Sequence, residues 1–227
     1  MAATVDIISG GRLEFGIGAG GSALPDPAYQ EMVHREYDAF GIDVVAPAQA
    51  VGALGEACTM IKRLWSEQQP FDFDGRWYQI KGAVCEPKPA QRPGPPMMIG
   101  AGGERSALRV VAEHADIWNC PTNDVEEFRH KSAVLDQHCA TIDRDPSEII
   151  RSVQVLVSTR GSPPDGPAGG RRQMGPAEVR ERLLELIHSG VSHLVLAPVT
   201  PDASAHWSAD NIVEPVLAMA RHTPTLT

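Results

Sequence analysis

The sequence has no excess of positive charge. Its 20 Lys and Arg stand against 29 Asp and Glu, giving a net charge of −9. That balance argues against nucleic acid or an anionic membrane as a general partner. Any phosphate must therefore be bound by local geometry and not by a global positive field. Cysteine is sparse and unpaired in spacing: Cys58, Cys85, Cys120 and Cys139 form no CxxC motif. They read as reduced thiols of a cytoplasmic protein. The opening MAATVDIISGG has neither a basic stretch nor a long apolar run, so no signal peptide is expected. No stretch approaches the roughly 20 apolar residues of a membrane span. There is no HExxH, and His130 and His138 are too far apart to share adjacent helical turns. No Cys/His cluster has zinc spacing, so no metal is expected. No GxSxG marks a nucleophile either.

What the chain does have is hydrophobic content, 42% of 227 residues, enough for one large domain over 1–227. Its most informative segments are SGGRLEFGIGAG (9–20) and PPMMIGAGGERSALRVVAEHADIWN (95–119). Each reads as a short apolar strand entering a glycine-rich turn. Glycine lets the backbone approach a ligand closely. A helix that starts after such a turn points N–H groups at an anion.

The pattern predicts strands over 12–17, 97–100, 116–119, 153–158 and 193–197. Helices are predicted over 2–8, 28–40, 49–66, 104–114, 124–142, 177–189 and 209–222. The apolar faces are expected to use Met32, Val33, Tyr37 and Phe40 on the second helix. On the third they use Val51, Leu54, Cys58, Ile61, Leu64 and Trp65; on the fifth, Val125, Phe128, Leu135, Cys139 and Ile142. FDFDGRWYQI reads as a hairpin turning at Asp74-Gly75. EPKPAQRPGPP (86–96) has five prolines in eleven residues and is neither helix nor central strand. The stretch 161–176 reads as a loop. Alternating strands and helices mean a parallel sheet with helices outside it. Five strands fit the last five βα units of a (β/α)8 barrel. The two open edges, 12–17 and 193–197, are expected to make the chain associate with itself.

Gly100-Ala101-Gly102-Gly103-Glu104-Arg105 leaves two readings open. It is either a phosphate site, with Arg105 adding a charge-assisted bond, or a tight turn that needs glycine for its conformation. Asn119 either bonds a ligand or caps the turn that follows. Trp118 reads as core, and His34 as a solvated surface residue.

The motifs SGGRLEFGIGAG, REYDAFGI, IKRLWSEQQPFDFDGRWYQI and EPKPAQRPGPPMMIGAGGERSALRVVAEHADIWN, in this order, resemble the luciferase-like monooxygenase superfamily. HKSAVLDQHCATIDRDPSEI extends the match, which is closest to the branch that uses the deazaflavin coenzyme F420. The resemblance implies an α/β chain of the TIM-type bacterial-luciferase kind, here about its last five βα units. Met1 then falls late in the family's third helix. It implies an oxidoreductase that moves hydride between F420 and a small organic substrate, or alternatively an FMN-dependent monooxygenase or a non-catalytic flavin-binding remnant. It places the cofactor phosphate at Ala101, Gly102, Gly103 and Arg105, and the ring beside Gly18, Ala19 and Gly20, with Asn119 near its edge. Gly21 stands where some sugar-phosphate-oxidising relatives carry a glutamate acid, which argues against that reaction. The catalytic acid or base is not named by any motif.

Overall fold

The structure is a computed structural model describing residues 1–20, 27–122, 124–159, 174–198 and 205–222. Gly21, Arg171, Arg172 and nearly all of the 161–176 stretch lie outside the described residues. The chain forms two compact units, Met1–Trp118 with Ala133–Ile149, and Asn119–Ser132 with Ile150–Thr227.

The first unit opens with helix α1 (Ala2–Ser9), ended by Gly10 at φ 69. That left-handed turn lets the N–H groups of Gly10 and Gly11 reach back to Ile7 and Asp6. Strand β1 (Phe15–Gly18), helix α2 (Pro27–Ala39) and helix α3 (Pro47–Ser66) follow. Of the six residues expected on the inward face of α3, Leu54, Cys58 and Trp65 are buried, whereas Val51, Ile61 and Leu64 are half-buried. On α2, only half of the expected apolar face is inward. Val33 is buried, whereas Met32 is exposed, as is Phe40 just beyond the helix. Histidine 34 is exposed, in keeping with a solvated residue.

Strands β2 (Phe71–Asp74) and β3 (Gln79–Ala83) pair antiparallel. The turn is longer than the Asp74-Gly75 dipeptide suggests. Asp74 pairs with Gln79, and Gly75 N–H closes on the Tyr78 carbonyl. The cause is distant in sequence. The Glu56 carboxylate on α3 accepts the N–H groups of Arg76, Trp77 and Tyr78 at 2.7, 2.8 and 3.0 Å. Burial alone raises this carboxyl's pKa. The three backbone bonds and Arg76 outweigh that and hold it below its ordinary value.

The proline-rich segment is irregular, as expected, and is tied to its surroundings by side chains. Lys88 Nζ donates to the Leu64 carbonyl at 3.0 Å. Gln91 donates to Asp6 from its backbone N–H at 2.9 Å and from its side chain at 2.8 Å. Asp6 is fully buried. Burial raises its pKa, but the hydrogen bonds led by Gln91 prevail and lower it below 3.8. The stabilisation from Asp6 is thus complete above its unfolded pKa and is lost as the pH falls through the lower folded value. Urea unfolding in acid should show stability dropping below about pH 4. The slope should flatten in an Asp6→Asn variant, and an unchanged slope would remove Asp6 as the cause.

Strand β4 (Met97–Gly100) runs parallel to β1. Helix α4 (Ala107–His114) begins three residues later than its periodicity suggests, because Glu104–Ser106 form a turn ahead of it. Gly103 accepts the Leu108 N–H across that turn. Strand β5 (Ile117–Cys120) neighbours β4. In helix α5 (Val125–Thr141), Leu135 and Cys139 are buried. Ile142, just past its end, is exposed instead of inward, because the chain turns at Asp143, whose φ is 56.

In the second unit, β6 (Ile150–Val157) starts three residues earlier than expected and runs parallel to β7 (His193–Pro198). Helix α6 (Pro176–His188) buries Val179, Leu183 and Leu186. The expected final helix is interrupted. Ala205–Ser208 and Glu214–His222 are α-helical, and Ala209–Val213 between them is π-helical. No helix among the described residues is long and apolar enough to cross a membrane.

Candidate cofactor site

The parallel register places Ile17 beside Ile99 and Gly18 beside Gly100. The two glycine-rich turns, far apart in sequence, therefore leave neighbouring strands at the same edge. Strand ends of this kind are where open α/β sheets bind ligands. The geometry separates two reasons for glycine. Among the described residues, a Cβ on Gly100 would meet nothing within 4 Å, and one on Gly18 would meet only the Gly100 carbonyl oxygen at 3.7 Å. Neither residue has a positive φ, nor does Gly103. Conformation alone does not demand glycine at these three positions. Open space above the strand ends is what their lack of side chains provides. Gly20 differs. Its φ is 80, and a Cβ there would run into the Tyr37 hydroxyl from α2.

The turn after β4 is held by its carbonyls. Ala101 is buried, and its carbonyl accepts the Trp118 indole N–H at 2.8 Å. The Gly103 carbonyl accepts Leu108 N–H at 3.0 Å. The Glu104 carbonyl lies 2.7 Å from His138 Nε2. Asp116 anchors the start of β4: its carboxylate accepts Met97 N–H at 2.8 Å, and its own N–H donates to the Met97 carbonyl at 3.0 Å. Among the described residues, nothing accepts a hydrogen bond from the N–H groups of Gly102 and Gly103. These are the groups that an anion would need.

Of the residues expected at the site, Gly18, Ala19, Gly20, Ala101, Gly102 and Gly103 come together at this strand edge. Arg105 is exposed on the same turn. It also lines a groove of about 390 Å³ between α3 and α4, together with Arg109 and Glu113. Asn119 falls in the second unit, and its Oδ1 is buried with no hydrogen-bond partner among the described residues. An orphan buried acceptor of this kind has a cost unless a ligand or water meets it. Trp118 is core, as expected, but sequence reasoning missed its hold on the turn. His138, weighed only as a metal ligand, serves the turn too.

Other reactive groups are disarmed by burial. The thiols of Cys58 and Cys120 are pushed up to about 11 and about 12. None of the four cysteines forms a disulfide. Burial, with Lys62 and Arg144 nearby, lowers His114 to about 4. These groups are poor nucleophiles or proton carriers near neutral pH.

The sequence profile of the luciferase-like monooxygenase family matches residues 1–168. The chain belongs to that family. Over 100 residues it is 33% identical to the oxygenase component of a flavin-dependent trigonelline monooxygenase from Acinetobacter baylyi. That match spans 44% of this chain and only 24% of the relative. Among solved structures, an F420-dependent secondary alcohol dehydrogenase bound to an F420-acetone adduct superposes with a TM-score of 0.72 at 13% identity. The superposition covers 95% of this chain and 73% of the dehydrogenase. A coenzyme F420-dependent tetrahydromethanopterin reductase from Methanopyrus kandleri gives 0.68 at 17% identity, over 95% and 77%. At these identities the structures establish the fold. It is a parallel α/β architecture of the luciferase-like kind, as the sequence predicts.

Proposed function

We propose that this luciferase-like chain is a cytoplasmic oxidoreductase acting on a small organic molecule with a bound deazaflavin of the F420 type. The carrying observation is the register pair Gly18 and Gly100, with open space above it. The residues present suit such a group. The N–H groups of Gly102 and Gly103 would take the phosphate, helped by the N-terminal end of α4 and by Arg105. Gly18, Ala19 and Gly20 would leave room for a flat tricyclic ring. When bound, the deazaflavin supplies hydride transfer. The chain supplies orientation and the exclusion of water. No described residue is assigned as proton donor. The open edge of β1 suits a homo-oligomer.

FMN is the second reading, and the 33% identity to a flavin-dependent monooxygenase over 100 residues favours it. Anaerobic stopped-flow separates the two. Reduced F420 should be consumed by an organic acceptor, such as an enone, imine or quinone, without oxygen. Strict oxygen dependence with reduced FMN would replace the first reading by the second. No binding of either cofactor would leave a non-catalytic member of the family.

A further inference from the structure

We infer that Trp118 and His138 are positioning residues that aim the backbone N–H groups of the 101–105 turn at an anion. The inference deepens the proposed function and rests on its placement of the phosphate.

A trans peptide is planar, so the carbonyl of one residue and the N–H of the next point in opposite directions. Whatever holds a carbonyl inward therefore turns the following N–H outward. The Trp118 indole holds the Ala101 carbonyl at 2.8 Å, which aims the N–H of Gly102. The His138 ring holds the Glu104 carbonyl at 2.7 Å, which aims the N–H of Arg105. A carbonyl only accepts, so His138 must carry its proton on Nε2 in this arrangement. Trp118 is wholly buried, so no bulk water can replace the indole as donor. The two clamps come from different elements, β5 and α5, and grip the turn at either side of Gly102 and Gly103. Both residues act through the backbone and touch no ligand themselves.

This assigns chemistry to two residues whose side chains otherwise look like core and surface. An indole is a donor with no acceptor capacity. It can fix a carbonyl without competing for the anion. Phenylalanine would fill most of the same space and leave the Ala101 carbonyl without its indole donor.

The test uses Trp118→Phe and His138→Ala in the full chain, with His138→Gln as the conservative variant. Each is titrated with FMN and with riboflavin, which differ only in the phosphate. For Trp118→Phe, FMN should bind about tenfold more weakly, the loss of about one well-placed hydrogen bond. Riboflavin affinity should stay unchanged. His138→Ala should show the same selectivity, and His138→Gln should recover part of it. Equal weakening of both ligands would mean a merely structural role and overturn the inference. Amide hydrogen exchange gives a readout that needs no cofactor. Residues 101–106 should exchange on the order of tenfold faster in Trp118→Phe, with the rest of the first unit unchanged. Unchanged exchange there would overturn the inference as well. A parent chain that binds neither ligand but shows the local exchange effect would sink the proposed function and leave the clamp standing.

Discussion

A Gly102→Val chain should bind a phosphate-bearing cofactor about 100-fold more weakly than the parent, through loss of two charge-assisted hydrogen bonds at the turn. Among the described residues, the N–H groups of Gly102 and Gly103 have no acceptor. A β-branched side chain would stand in the space where the anion must approach, and it would stiffen a turn already pinned at Ala101 and Glu104. Because the neighbouring carbonyls are held from the protein side, the turn has little freedom to move aside. Riboflavin, lacking the phosphate, should lose much less. Fluorescence titration of both ligands decides it. A Gly102→Val chain that binds FMN or F420 as the parent does would move the phosphate away from this turn.

The second large effect concerns Gly20. Gly20→Val should lower the melting temperature by about 5–10 °C. A β-branched residue at φ 80 is strained by about 1–3 kcal/mol, and each kcal/mol shifts a chain of this size by about 2–4 °C. The Cβ would also collide with the Tyr37 hydroxyl. Tyr37→Phe in the same background should relieve the collision and leave the strain. A double-mutant cycle separates the two, since only the contact is coupled. If Gly20→Val melts like the parent, the described conformation at the end of β1 is not the one the chain adopts. Calorimetry on the four chains provides the measurement.

Much of this site is legible in the sequence because its signals are local. An apolar run that ends in Gly-Ala-Gly-Gly can be read as a strand entering a permissive turn. Helical spacing alone picks out the buried Leu54, Cys58 and Trp65, together with Val51, Ile61 and Leu64, which are half-buried. Errors arose where a partner distant in sequence sets the outcome. Asp74-Gly75 looks like a two-residue turn, but Glu56 collects three N–H groups and draws the loop out to Tyr78. Met32 and Phe40 match an apolar stripe by count, yet nothing in the first unit covers them, and they stay exposed. Whether glycine served conformation or space could not be decided from composition, because both uses select the same residue. It needed the dihedral angles: positive at Gly20, ordinary at Gly18, Gly100 and Gly103.

The amino-acid sequence by itself determined the alternating strands and helices, the two glycine turns and the family. The elements and turns depend on residues within a few positions of one another, so periodicity and turn chemistry suffice for them; the family rests on the resemblance of motifs ordered along the whole chain. Only the tertiary structure decided that Gly18 lies beside Gly100, that Asp6 is buried under Gln91, and that Trp118 and His138 grip one turn. These are directional hydrogen bonds and strand registers between segments remote in the chain. Their partners are fixed by how the strands and helices pack, and the local sequence carries no record of that packing.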